Sequence, residues 1–284
     1  MDTTNLAHWE SLAAFHGTGR DTYYDLDAVV AGGTLMGGEE AAALDVATHG
    51  AGVAGLDVMH LQCHLGADAI TMARAGARVT AVDFSATALA RLDDLAARCG
   101  VSVVTVEADS RDLPATLANG FDLVYATIGV LCWIDDLDAW FASAARALRP
   151  GGSLVLVELH PLLTMIDSVD PLVVDFPYAF DGPHDFSGTG SYAQRDADVA
   201  WSVTEYAHGV AEVVTAAIDA GLTPTHFEEH LSMGFNPRSM DGVDEPDGRY
   251  RLRLGRGAAN APDPRASPMP VLYTLIARQP QRLP

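Results

Sequence analysis

Lysine is missing from this chain of 284 residues. Its 17 basic residues are all arginine, against 38 acids, for a formal net charge of -21. A nucleic-acid binder wants a basic stripe, so DNA and RNA are excluded as expected partners; the acidity serves solubility. Cysteine is scarce: Cys63, Cys99 and Cys132 are too few and too far apart for a zinc site or a disulfide framework, which fits a reducing compartment. His226 and His230 would pair on a metal only on a helix, and their surroundings read as strand, so no metal is expected. No apolar run reaches the ~18 residues of a membrane span, and residues 1–10 lack the basic-then-apolar form of a signal peptide. The expectation is a soluble cytoplasmic protein with no membrane partner, monomeric or homodimeric.

Glycine is also short where one class of nucleotide site needs it. Val58 to Leu61 is an apolar run that enters a turn, Gln62-Cys63-His64-Leu65-Gly66. A helix-like segment from Ala67 to Ala75 follows, Gly76 closes it, and a second apolar run ends at Asp83. Strand, turn, helix, strand, acid is the layout of a nucleotide site at the first crossover of a parallel sheet. The turn offers free N–H groups and a helix N-terminus, and an acid after the second strand can accept both ribose hydroxyls. A pyrophosphate needs a close approach to glycine backbone, but Gln62 and His64 stand where two of those glycines would be. The loop therefore points away from NAD and toward S-adenosylmethionine, which has no pyrophosphate. A tight turn in any α/β domain is the plainer reading of the same residues.

Further along, Val101–Val106, Phe121–Ala126 and Ser153–Val157 read as strands. They alternate with helix-like stretches, Ala86–Cys99 (Leu89, Leu92, Leu95 and Ala96 on one face) and a segment capped by Asp135 or Asp136 (stripe Leu137, Trp140, Phe141, Ala144, Leu148). Alternation implies a parallel doubly wound sheet with ligands at the carboxyl ends of its strands. Before the first strand, residues 1–52 read as a helical lid, with helices over Asn5–Phe15 and Glu39–Thr48 and an aromatic loop at Tyr23 and Tyr24. Residues 53–284 form the main domain, and 161–207, rich in Pro, Gly, Asp and aromatics, an insertion over the crevice. A helix at Val210–Ala220 and strands at Thr225–Leu231 and Pro270–Arg278 suggest a hairpin at the sheet edge. Arg249, Arg251 and Arg253 alternate as on an edge strand paired with surface acids, the reading preferred to an acidic-substrate pocket.

The His60-to-Gly66 turn, Asp83, Ala108-Asp109, Phe121-Asp122-Leu123-Val124-Tyr125 and Leu148-Arg149-Pro150-Gly151-Gly152 together resemble the class I S-adenosylmethionine-dependent methyltransferases, over about residues 55–160. The resemblance is strongest to bacterial small-molecule enzymes with a His-Leu-Gln-Cys-His turn, Asp-Phe-Ser after the second strand and His-Pro after the fifth. It implies a Rossmann-like seven-stranded sheet with an antiparallel last strand. It also implies that Asp83, with Phe84 beside it, holds the ribose, and Asp109 and Ser110 the adenine. The turn, His60, Gln62, His64 and Gly66, lines the methionyl part, and Thr127 and Ile128 lie near the sulfonium. His60 replaces an acid common in the family, which leaves the ligand's amino group to Gln62 or to a backbone carbonyl.

Methyl transfer is an in-line displacement in which the protein aligns the partners and excludes water. His160, just past the fifth strand, is the candidate base or substrate contact, weighed against a histidine bonded to a loop carbonyl. Tyr24, Trp133 and Tyr192 are candidate substrate residues; Glu158 and His208 are further ones. The expected activity is transfer of methyl to O or N of a small, secondary-metabolite-type acceptor, with S-adenosylhomocysteine as product. The alternatives are a non-methylating cyclase or decarboxylase on the same fold, a nicotinamide oxidoreductase, and a binding module without turnover.

Overall fold

The computed structural model describes residues 3–19, 23–169, 171–194, 196–235, 243–244, 247–254 and 267–281. Asp21 and Thr22 of the aromatic loop, and much of the Met233–Pro268 stretch, lie outside them.

Three helices precede the sheet: α1 (Thr3–Phe15), α2 (Leu26–Val30) and α3 (Gly38–Ala47). Then come β1 (Asp57–Leu61), α4 (Ala67–Arg74), β2 (Arg78–Asp83), α5 (Ala86–Cys99), β3 (Val103–Glu107), β4 (Phe121–Thr127), α6 (Leu137–Ala147) and β5 (Leu148–Leu159). The insertion folds as a short helix α7 (Pro161–Thr164) and two hairpins, β6 (Ile166–Val169) with β7 (Leu172–Val174), and β8 (His184–Thr189) with β9 (Ala200–Glu205). The chain ends through α8 (Val210–Asp219), β10 (Thr223–His230), β11 (Val243–Asp244), β12 (Tyr250–Arg253), β13 (Pro268–Met269) and β14 (Leu272–Arg278).

Seven strands make the main sheet in the order β10-β14-β5-β4-β1-β2-β3. β14 runs antiparallel to both β5 and β10; the pairs β1–β2, β2–β3, β1–β4 and β4–β5 are parallel. This is the Rossmann-like sheet of the class I methyltransferases. The edge hairpin inferred from the sequence is a little different: the last strand slots between β5 and β10. The centre of β5, Leu154 to Val157, is 0% exposed, as expected of a strand covered by helices on both faces. On α5, Leu92 and Leu95 turn inward and Ser85 caps the helix, accepting from Ala88 N–H. On α6, Asp136 is the cap and Trp140, Phe141 and Ala144 pack into the core.

The N-terminal helices are tied down by polar contacts rather than apolar ones alone. Arg91 of α5 donates to the carbonyls of Ala13, His16 and Gly17, satisfying the end of α1. Buried Asn5 exchanges two hydrogen bonds with Thr204 of β9, at 2.8 and 2.9 Å, as a strand residue would. Lid and insertion are thereby joined over the carboxyl ends of β1, β2 and β4. Of the three alternating arginines, Arg251 pairs with Asp247 and Arg249 with Glu39. Among the described residues, no helix is long and apolar enough to cross a membrane.

Candidate active site

The strand order reverses between β1 and β4, and a crevice opens there. The turn leaving β1 has three residues in the left-handed region: Gln62 (φ 55°), His64 (φ 48°) and Gly66 (φ 66°). Only at Gly66 does the chain use glycine, and there a Cβ would meet the Leu92 side chain at 2.5 Å. The turn keeps a glycine-type backbone with two larger residues in it, at a cost of about 1–2 kcal/mol each. Their side chains hold the strained form in place. Gln62 Oε1 accepts from the Trp140 indole at 2.7 Å, and its Nε2 donates to the Val130 carbonyl at 3.1 Å. His64 N–H donates to Asp83 Oδ2 at 2.8 Å, and its Nε2 lies 2.9 Å from His16 Nδ1. His16 Nε2 in turn lies 2.6 Å from Ser191 Oγ, linking turn, lid and insertion.

Asp83 ends β2, and its second oxygen accepts from Ser85 N–H at 2.9 Å. Burial pushes its carboxyl up to about 6 despite those backbone donors. Asp109 is held by Arg111, at 3.0 Å (Nε) and 2.6 Å (Nη2), and Arg111 also reaches Asp135. His60 is buried in β1, and burial drives its ring down to about 3, so it is neutral.

These residues frame one cavity of about 200 Å³, continuous with solvent. Its walls include every residue expected around the cofactor: His60, Gln62, His64, Gly66, Asp83, Phe84, Asp109, Ser110, Thr127 and Ile128. Tyr24, Trp133 and Tyr192, expected on the substrate side, line it as well. The two phenols meet at 2.5 Å, and Trp133 stands edge-on to Trp9 at 5.4 Å. Trp9, on α1, is thus also a cavity wall.

Three expectations are corrected. His160 is outside the cavity lining and 2% exposed. Its Nδ1 accepts from Leu162 N–H at 3.1 Å, capping α7, and its Nε2 lies 3.0 Å from Glu229. With both ring nitrogens engaged away from the crevice, it is not placed to take a proton there. Glu158 is not part of the cavity lining either; it accepts backbone N–H groups of Gly129, Val130, Leu131 and Leu159, building the loop after β4. His208 donates to the Ile134 carbonyl at 2.6 Å, also outside the lining.

Sequence reasoning missed His16, Glu40 and Asp68. Glu40 and Asp68 line the cavity. Asp68 accepts from the Tyr125 hydroxyl at 2.9 Å and the Thr127 hydroxyl at 3.4 Å. Burial raises both carboxyls, that of Glu40 to about 7. In sequence both look like ordinary first-turn acids of helices; the signal for Asp68 was its place two residues after the turn's glycine.

Residues 58–152 match the family described as "Methyltransferase domain". A curated relative, malonyl-[acyl-carrier protein] O-methyltransferase of Hahella chejuensis, is 43% identical over 61 residues, 22% of this chain. The match spans about a fifth of that relative's length (21%). Among solved structures, the [4+2]-cyclase SpnF superposes with TM-score 0.55 at 17% identity, over 98% of this chain and 95% of its own. The 1,6-didemethyltoxoflavin N1-methyltransferase of Burkholderia thailandensis, solved with that molecule and S-adenosylhomocysteine, gives 0.50 at 17% identity, over 99% of this chain and 92% of its own. At these identities the structural likenesses establish the fold.

Proposed function

We propose that this chain, whose residues 58–152 match the methyltransferase-domain family, is a class I S-adenosylmethionine-dependent enzyme that transfers methyl from S-adenosylmethionine to O or N of a small acceptor. The observation that carries the reading is the left-handed turn at Gln62, His64 and Gly66 facing Asp83 in one cavity under an aromatic lid. The residues present suit the cofactor. Each Asp83 oxygen accepts one backbone N–H and keeps a further lone pair for a ribose hydroxyl. Asp109 and Ser110 stand where the adenine is read, with Asp109 shared between that edge and Arg111. No pyrophosphate has to be accommodated, so the bulk of Gln62 and His64 is tolerated.

When bound, the cofactor supplies a methyl group already activated on a sulfonium. The chain's part is alignment and exclusion of water. Thr127 and Ile128 wall the cavity on the β4 side, Trp9 and Tyr24 close it from the lid, Tyr192 from the insertion and Trp133 from the segment between β4 and α6. Their flat faces suit a planar or apolar acceptor body. His160 is not needed as a base for an acceptor that arrives as an anion or a neutral amine.

Isothermal titration with S-adenosylmethionine and S-adenosylhomocysteine, with NADH as control, tests the reading. Micromolar-range binding of both adenosyl compounds and none of NADH is expected; binding of neither overturns it. Release of S-adenosylhomocysteine on adding acceptor separates a methyltransferase from a non-methylating cyclase or decarboxylase on this fold.

A further inference from the structure

The cavity carries one buried and one half-buried carboxyl for which the reaction as described has no use. Glu40, on α3, is 8% exposed; Asp68, in the first turn of α4, faces the same space. Their charges act on one another, and each raises the phenol of Tyr23. Neither has an ion pair among the described residues. The one arginine among the described residues that line the cavity, Arg111, is engaged by Asp109 and Asp135. Its histidines supply no positive charge either, because burial keeps His60 and His64 neutral. Buried carboxyls without a cation are unfavourable unless something pairs with them.

A separate observation points to a ligand there. His60 is 4% exposed, lines the same cavity, and its Nδ1 has no hydrogen-bond partner. Buried polar atoms are nearly always satisfied, so this one calls for a partner that binds. The His60 ring stands edge-on to Tyr125 at 5.2 Å, and Tyr125 is the residue whose hydroxyl donates to Asp68. Orphan nitrogen and acid thus belong to one cluster. Gln62, the side chain expected to replace the missing acid at position 60, is not available: its amide serves Trp140 and Val130.

We propose that Asp68 and Glu40, on the same cavity wall as His60, form a subsite for an aliphatic ammonium group. The inference rests on the methyltransferase reading for what enters the cavity. The ammonium has two sources, the amino group of the cofactor's methionyl part or an amine on the acceptor. In the first case an acid lost from strand β1 is replaced from the helix that follows it. In the second the pair selects amine acceptors.

The test is isothermal titration of the full chain against Asp68→Asn and Glu40→Gln, with Asp94→Asn, an exposed carboxylate on α5, as a control for general charge. Thermal melts confirm that each variant is folded. The probes are S-adenosylhomocysteine, methylthioadenosine (which lacks the amino-acid part) and phenethylamine, the last titrated with and without S-adenosylhomocysteine. If the cofactor is the source, Asp68→Asn weakens S-adenosylhomocysteine about tenfold or more and leaves methylthioadenosine unchanged, as for loss of a charge-assisted bond. If the acceptor is the source, S-adenosylhomocysteine is unchanged and phenethylamine binding is lost in both variants. Unchanged affinity for all three probes overturns the subsite. So does equal weakening of methylthioadenosine, which makes the acids structural. Wild-type protein that binds neither adenosyl compound sinks the methyltransferase reading instead, and phenethylamine alone then decides the subsite.

Discussion

Replacing Gln62 by glycine sets two effects of opposite sign against each other. Gln62 sits at φ 55°, and glycine would relieve about 1–2 kcal/mol of left-handed strain. Against this, the Trp140 indole N–H loses its acceptor at a residue that is 0% exposed. A buried donor left unsatisfied costs about 1–3 kcal/mol. Loss of the bond to the Val130 carbonyl adds about 1 kcal/mol, and the freer unfolded chain about 0.5–1 kcal/mol more. The losses win: Gln62→Gly should destabilise the protein by about 1–3 kcal/mol although its backbone conformation favours glycine. Equilibrium urea unfolding of wild type, Gln62→Gly, Trp140→Phe and the double variant measures this, with a coupling energy of about 1–2 kcal/mol expected between the two sites. A Gln62→Gly protein as stable as wild type, with no coupling to Trp140, would refute the claim that the amide clamps the turn.

His160→Ala should leave S-adenosylhomocysteine affinity within about twofold and lower stability by about 1 kcal/mol, the value of a lost helix cap; a tenfold loss of affinity by titration would return His160 to the cavity. Glu40→Gln should change the pH dependence of stability. The carboxyl of Glu40 is raised from its ordinary 4.5 to about 7, chiefly by burial, with Asp68 and Glu39 adding to it and backbone N–H groups opposing. The folded state therefore holds that proton more tightly than the unfolded chain, and wild type loses stability as pH climbs from about 4.5 to about 7. Glutamine removes the loss, so the variant's stability relative to wild type should rise between pH 5 and pH 8, by up to ~3 kcal/mol. Urea unfolding at both pH values reads it, and a difference that is flat or of opposite slope refutes the buried, raised carboxyl.

Much of this architecture is legible in the chain because it follows from local rules. Alternation of β-branched runs with the leucine stripe of α5 declares a parallel sheet. Ser85 and Asp136 declare where helices begin, and Gly66 and Asp83 mark the crevice by their spacing. Periodicity and capping act over a few residues, so one sequence read in order reveals them. Two glycine positions filled by Gln62 and His64 could also be read, but not what makes them tolerable. That depends on Trp140 and Val130, more than sixty residues away, and on His16 of the N-terminal lid and Ser191 of the insertion.

His160 shows the limit most plainly. Its place after the fifth strand is correct, yet a strand's end can send a side chain to either side, and the ring turns to cap α7 and meet Glu229. Glu158 likewise has the right neighbourhood but is consumed by backbone N–H groups. Glu40 and Asp68 are the reverse: nothing near them in sequence separates them from exposed helix-start acids. Their surroundings in the fold give them their chemistry, because a carboxyl removed from water holds its proton unless a cation pairs with it. The sequence by itself determined the sheet, the turn and the acid of the crevice, each a matter of neighbouring residues. Only the tertiary structure decided which titratable groups face the cavity, since that depends on which distant segments close over it.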